Sequence, residues 1–131
     1  MLHKKKIQAF SFIAVFVIFG MAAVKLNSNE RNLKVLPKDI SDTKLDSIMQ
    51  TYNKALGVKC NFCHVPMKNI ADSLDYASDA DPMKENARKM MQMVIEINKK
   101  NFYFYPEVRP EYLNTVTCKT CHRGEHFPPE D

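Results

Sequence analysis

Apolar residues recur at three- and four-residue steps in two stretches of the chain, and each stretch predicts an amphipathic helix. The first begins after Ser41, a plausible N-cap, and ends at Gly57, a residue type that commonly terminates helices. Its apolar positions are Leu45, Ile48, Met49, Tyr52, Ala55 and Leu56.

The second predicted helix begins at Asp81-Pro82, an N-cap followed by a proline in the first helical position. Ala87, Met90, Val94 and Ile97 form its apolar face, and the helix is expected to fray near residues 99–101. The charged residues of its first half are expected on the solvated side. They are Lys84, Glu85, Arg88 and Lys89.

The segments between and after these helices show no comparable pattern. Residues 65–80 contain three aspartates and predict no strand, while residues 102–117 form a loop rich in tyrosine and proline. The pattern therefore predicts an all-α fold in which a helix, a short motif and a connection are followed by a second helix and motif.

The first 24 residues differ from the rest. Lys4, Lys5 and Lys6 precede an apolar run from Ile7 to Val24, whose length of about eighteen residues is near the lower limit for a membrane-spanning helix. The basic end favours a cytoplasmic N-terminus and an exported remainder. We predict a retained signal anchor over residues 1–24, a polar tether over 25–36 and one domain over 37–131.

Charge gives little information about partners. The chain has 19 lysine and arginine residues, and removing the three lysines of the anchor leaves 16 against 15 acidic residues, a net +1. This near balance in the exported part does not indicate a nucleic-acid-binding protein.

All four cysteines of the chain lie in two pentapeptides, Cys60–His64 and Cys118–His122, and each reads Cys-x-x-Cys-His. This is the attachment signature of a c-type haem, in which both thiols bond the porphyrin edge and the histidine binds the iron. We therefore predict two covalently attached haems c, held by Cys60, Cys63 and His64 and by Cys118, Cys121 and His122.

Two other uses of the cysteines remain open at this point. The two pairs could share one tetrahedral zinc, although structural zinc pairs usually lie closer in sequence than residues 63 and 118. Alternatively, each pair could form a disulfide in an oxidising compartment. Neither alternative explains the histidine that follows each pair.

The second axial ligand of each iron must come from elsewhere. His3 lies in the anchor, and His126 is too close to His122 to reach the opposite face of the same ring. Methionine is the other usual ligand of a low-spin cytochrome c. Met49 is the candidate for the first haem, and the second helix offers four candidates for the second, namely Met83, Met90, Met91 and Met93.

The order of these segments resembles the photosynthetic reaction-centre cytochrome c subunit family. The resemblance is carried by residues 49–59 running into the first motif, by 87–93 with 97–98, and by 117–124. It implies that a methionine-bearing helix precedes each motif, with Met49 ligating the first iron and Met90 the second, while Met93 is packing. This chain has two motifs where the photosynthetic subunit has four haems, so we expect a short two-haem relative.

These features together predict a membrane-anchored dihaem cytochrome that transfers electrons in the bacterial periplasm. The donor would be a quinol-oxidising complex or another cytochrome, and the acceptor a terminal oxidase or reductase. Two alternatives remain, a haem enzyme such as a peroxidase with one open iron site and a non-catalytic subunit of a larger redox complex.

Overall fold

The computed structural model describes residues 31–130, and helices dominate this part of the chain. The elements are α1 (Asp42–Leu56), a 3₁₀ helix (Cys60–Phe62), β1 (Val65–Pro66), β2 (Leu74–Asp75), α2 (Pro82–Asn101), a second 3₁₀ helix (Pro110–Tyr112) and α3 (Cys118–His122). The prediction of a mostly helical domain is confirmed.

The caps predicted for α1 are present. The Ser41 hydroxyl accepts a hydrogen bond from the Lys44 amide at 3.2 Å, and Gly57 ends the helix in the left-handed conformation with φ of 65°. The Gly57 amide donates to the Asn53 carbonyl, which satisfies one of the free acceptors at the helix end.

Helix α2 also begins and ends where its sequence predicts. The Asp81 carboxylate accepts a hydrogen bond from the Met83 amide at 2.8 Å, and Pro82 occupies the first turn. The helix ends at Asn101, and the Phe102 amide donates to the Asn98 carbonyl at 2.8 Å.

The buried residues of α2 are charged or polar, whereas the sequence predicts that its apolar face is the buried one. Lys84 and Arg88 are only 8% and 7% exposed, and Asn98 is fully buried. The assignment of Lys84 and Arg88 to the solvated side is therefore wrong. Each finds main-chain acceptors, since Lys84 bonds the Tyr76 and Ser78 carbonyls and Arg88 bonds the Asn32 carbonyl.

The connection between the two halves contains a short ladder, although its sequence predicts no strand. Strands β1 and β2 pair antiparallel, with Val65 opposite Asp75 and Pro66 opposite Leu74. Two-residue strands are too short to show an alternating apolar pattern, so the sequence could not reveal them.

Residues 31–36 pack with the domain, although the sequence analysis assigns them to the tether. Leu36 is buried, and the Asn32 side chain donates to the Ala77 carbonyl at 2.8 Å. The predicted membrane anchor and residues 25–30 lie outside the described residues. Within residues 31–130, no helix has the length and apolar content needed to cross a membrane.

Few apolar side chains are buried in the described part of the chain. Leu36, Ile40 and Ala55 are its buried hydrophobic residues, and most apolar positions of α1 and α2 are half-buried. Eight large hydrophobic side chains are exposed, namely Ile70, Tyr76, Met90, Met93, Tyr103, Phe104, Tyr105 and Phe127. So small a core would normally be marginal for a domain of this length.

The end of α1 lies directly against the turn that follows α3. The Gly124 amide donates to the Ala55 carbonyl at 3.0 Å, and a β-carbon on Gly57 would overlap the Gly124 carbonyl oxygen. A glycine is therefore needed at position 57 for two reasons, the positive φ and the close approach of the Gly124 carbonyl.

We expect Gly57→Ala to destabilise the domain by about 3 kcal/mol, because it adds a backbone clash to the cost of a left-handed alanine. Gly124→Ala is the matched control. Gly124 also has a positive φ, of 104°, but a β-carbon there would meet nothing within 4 Å. Denaturant unfolding of the purified chain would measure both variants, and a loss of stability below about 1 kcal/mol in Gly57→Ala would contradict the close-packing argument.

Candidate functional site

The first Cys-x-x-Cys-His motif forms a tight 3₁₀ turn. The Phe62 amide donates to the Lys59 carbonyl at 3.0 Å and the His64 amide to the Cys60 carbonyl at 3.1 Å. The Asn53 side chain on α1 lies 3.5 Å from the Cys60 sulfur. This turn brings both thiols and the His64 imidazole into one short segment after α1.

The second motif is the helix α3 itself. Thr117 and Thr120 form a capping box at its start, and Arg123 ends it in the left-handed conformation with φ of 55°. His122 Nδ1 lies 3.0 Å from the Glu125 carbonyl oxygen. Because a carbonyl only accepts, this contact places the proton on Nδ1 and leaves Nε2 available to bind a metal.

His64 is held differently from His122. Its Nδ1 is buried and has no hydrogen-bond partner within the described residues, and its ring meets Tyr76 edge-on with centroids 5.0 Å apart. Burial lowers the pKa of His64, and the nearby Lys84 and Arg88 charges lower it further. A neutral imidazole is the form that binds a metal, so this environment suits a ligand.

The second motif packs against α1, the helix of the other half, and the first motif lies near the start of α2. The thiol of Cys63 has its pKa raised by burial and by the Asp81 charge at the start of α2. In the same way, burial and the Cys118 thiol raise the pKa of Tyr52 on α1. Helix α3 packs against α1 over its length. The two helix–motif units are therefore interlocked rather than placed end to end.

An aromatic contact also joins the first motif to the segment that follows the second motif. The Phe62 ring, inside the first motif, meets the His126 ring edge-on with centroids 5.8 Å apart. His126 in turn contacts Phe127 at 4.6 Å. His126 thus links the two halves, and its ring packs against aromatic neighbours.

The methionines differ in exposure. Met49, the candidate on α1, is half-buried on the apolar face of that helix. On α2, Met90 is 43% exposed and Met93 42%, while Met83 and Met91 are half-buried. Exposure alone therefore does not separate Met90 from Met93, and the choice of Met90 stays a prediction.

Asn98 is a structural residue of the site that the sequence analysis did not identify. Its Nδ2 donates to the carbonyls of Leu113 at 3.1 Å and Val116 at 2.8 Å, and its Oδ1 accepts from the Val116 amide at 2.8 Å. These bonds hold in place the segment of the chain that leads into the second motif. The sequence gives one indication of its importance, since Asn98 belongs to the 97–98 pair included in the family resemblance.

The residues present suit thioether attachment of haem. All four cysteines lie in the described part of the chain and none is in a disulfide. Across residues 31–130 no three His, Cys, Asp or Glu side chains are grouped closely enough to hold a metal ion. The half-buried apolar faces of α1 and α2 suit a flat apolar group.

We expect Asn98→Leu to lower the free energy of unfolding by about 3 kcal/mol, because it leaves the Leu113 and Val116 carbonyls and the Val116 amide buried without partners. Asn101→Leu is the control, since Asn101 is exposed and bonds only the Ile97 carbonyl of its own helix. Its cost should stay within about 0.5 kcal/mol. A small effect at Asn98 in denaturant unfolding would contradict its assigned role.

Residues 21–131 match the family described as the photosynthetic reaction centre cytochrome C subunit. Cytochrome c-554 of Chloroflexus aurantiacus is 35% identical over 106 residues, covering 80% of this chain and 23% of that protein. The photosynthetic reaction center cytochrome c subunit of Roseobacter denitrificans is 31% identical over 120 residues, covering 81% of this chain and 31% of that protein.

The chain thus spans between about a quarter and a third of the length of these curated relatives. No solved structure shows a significant match to it. Family membership implies covalently bound haem c and haem-based electron transfer. The match over 21–131 includes both motifs, both long helices and the tight turns between them, and the chain belongs to the photosynthetic reaction-centre cytochrome c subunit family.

Proposed function

We propose that this protein is a membrane-anchored dihaem c-type cytochrome that transfers electrons on the periplasmic side of the bacterial inner membrane. Its donor would be a quinol-oxidising complex or another cytochrome, and its acceptor a terminal oxidase or reductase. The proposal is carried by the two Cys-x-x-Cys-His segments, each of which forms a short helical turn in the same domain. Their four thiols form no disulfide.

The residues have distinct roles in this proposal. Cys60 and Cys63 form the thioethers of the first haem, and His64 binds its iron. The second haem is held in the same way by Cys118, Cys121 and His122. Each haem supplies a one-electron iron couple. Met49 and Met90 are the proposed ligands on the opposite faces, and methionine ligation favours a high reduction potential.

The interlocked packing supports exchange of electrons between the two centres. Phe62 in the first motif contacts His126, four residues after His122. Cys118 lies beside Tyr52 on α1, and the Gly124 amide bonds the Ala55 carbonyl. These contacts keep the attachment segments at a fixed separation, so electron transfer between them requires no domain movement.

Exposed aromatic residues support association with other redox proteins. Phe104 and Tyr105, in the loop after α2, are 73% and 63% exposed, and Phe127 is 66% exposed. Apolar side chains in protruding segments favour transient docking of a partner. The predicted anchor would keep the domain near membrane-bound donors and acceptors, either as a free carrier or as a subunit of a redox complex.

We expect Met49→Ala and Met90→Ala each to remove one of the two proposed methionine–iron bonds. We expect the methionine–iron charge-transfer absorption to fall by about half in each variant, because one of two equivalent ligations is lost. One of the two reduction steps should also move to lower potential. Optical redox titration of the detergent-solubilised full chain would measure both effects.

Met93→Ala is the matched control for Met90→Ala, since both side chains lie on α2 with almost equal exposure. The control should retain the full absorption and both potentials. Loss of the band in Met93→Ala but not in Met90→Ala would transfer the ligand role to Met93. Unchanged spectra in all variants would refute methionine ligation.

The exposure of Met90 gives weight to one other function, a haem enzyme such as a peroxidase with an open site at the second iron. Carbon monoxide binds a reduced iron that lacks a protein ligand on one face. A six-coordinate carrier should show no rapid spectral change when the reduced protein is exposed to carbon monoxide. Rapid binding of one equivalent per chain would instead favour the enzyme.

A further inference from the structure

The loop after α2 presents three consecutive aromatic side chains to solvent. Tyr103 is 36% exposed, Phe104 73% and Tyr105 63%, and these residues, 103–105, form the aromatic loop. Two exposed lysines, Lys99 and Lys100, end α2 directly before it. A contiguous exposed apolar group of this kind marks a contact surface.

Local hydrogen bonds give the aromatic loop a closed shape. The Tyr103 hydroxyl donates to the Pro106 carbonyl at 3.0 Å, and the Val108 amide donates to the Tyr105 carbonyl, also at 3.0 Å. The exposed rings therefore protrude from a hydrogen-bonded turn.

The segment that follows the aromatic loop is attached to the start of α1. The Arg109 guanidinium forms an ion pair with Asp39 at 3.0 Å. The amine of Lys44, in the first turn of α1, lies 5.6 Å from the centre of the Tyr112 ring. These two contacts place the aromatic loop close to the end of the domain at which α1 begins.

The chain enters the described part of the protein at the same end. Arg31 donates to the Ile40 carbonyl and forms an ion pair with Asp42. Arg31 and Arg109 therefore bond residues of one short segment, 39–42. The entry of the chain and the aromatic loop are neighbours in the fold.

The length of chain before Arg31 limits how far this end of the domain can lie from a membrane. The predicted anchor ends at Val24, and residues 25–30 separate it from Arg31. Fully extended, that stretch spans at most about 25 Å. In an anchored chain, the aromatic loop is thus kept close to the bilayer surface.

We infer that the aromatic loop inserts into the headgroup region of the bilayer and holds the anchored domain against the membrane. Tyrosine is enriched at this depth, because its ring is apolar and its hydroxyl meets water. Lys99 and Lys100 can meet lipid phosphates. The exposed Glu107 offsets one of these charges, so the rings carry most of the contact. This inference rests on the proposed function, since it requires the predicted anchor.

The bilayer is favoured over a redox partner as the cover of the aromatic loop, because the short tether keeps the loop near the membrane whether or not a partner is bound. Phe127 is 66% exposed and follows the second motif, outside the aromatic loop. It therefore remains available to a redox partner.

Photochemical cross-linking to lipid would test the inference. The full chain carrying its haems is reconstituted in vesicles of phosphatidylcholine and phosphatidylglycerol that contain a phosphatidylcholine with a diazirine near its headgroup. Mass spectrometry then locates the lipid adducts. We expect about fivefold more adducts in residues 101–109 than in residues 124–130, because rings at the headgroup level lie beside the probe.

The double variant Phe104→Ser, Tyr105→Ser should lose about fivefold of the adducts in residues 101–109, since serine has no ring to insert. Phe127→Ser is the matched control, because Phe127 and Tyr105 are almost equally exposed. The control should leave the adducts in residues 101–109 unchanged. The aromatic side chains of the loop are exposed, so the double variant is expected to fold.

Adducts concentrated in residues 101–109 and lost in the double variant would support the inference. Equal labelling of the two segments, or no labelling of the loop in a chain that resists extraction by alkaline carbonate, would overturn the inference alone and assign the loop to a redox partner. Extraction of the chain by carbonate would overturn both the inference and the proposed anchoring. If the double variant fails to assemble, the comparison of the two segments in the unsubstituted chain decides.

Discussion

The contact between the end of α1 and the turn after α3 is the constraint on which the rest of the domain depends. It joins residues almost seventy positions apart in the chain through one hydrogen bond, from the Gly124 amide to the Ala55 carbonyl. Gly57 permits the approach because it has no β-carbon and adopts a positive φ. This contact fixes α1 against the segment that carries the second motif, and the first motif follows α1 directly in the chain.

The distribution of polar and apolar side chains follows from this interlocking. The buried side of α2 carries Lys84, Arg88 and Asn98, and each hydrogen-bonds main-chain groups of a connecting segment. Buried polar groups are tolerated only when they are bonded in this way. These three residues therefore tie the connections to α2, while its apolar face stays half-buried and suits contact with a porphyrin.

The histidines of the two Cys-x-x-Cys-His motifs differ in their hydrogen bonding. His122 donates Nδ1–H to the Glu125 carbonyl, whereas the buried Nδ1 of His64 has no hydrogen-bond partner within residues 31–130. A proximal histidine that donates to a carbonyl is a better electron donor to iron. The proposed ligand of the second motif therefore has this support, and the proposed ligand of the first motif does not.

The ends of the two long helices could be predicted from the sequence, because the residues that determine them are local. Ser41, Gly57, Asp81 and Pro82 mark helix ends by their own chemistry, and the structure has those ends. The burial of Lys84 and Arg88 could not be predicted, since it depends on carbonyls supplied by Asn32, Tyr76 and Ser78 in distant segments. The same holds for Asn98, whose partners lie fifteen to eighteen residues away. Long-range hydrogen bonding leaves no periodic trace in a sequence.

The central claim is that both Cys-x-x-Cys-His segments carry a covalent haem, and the mass of the purified chain tests it most directly. Intact-mass measurement of the purified protein, with alkylation of free thiols, should show two haem additions and no alkylated cysteine among Cys60, Cys63, Cys118 and Cys121. A chain with no haem addition, and with thiols that alkylate or release zinc, would contradict the account.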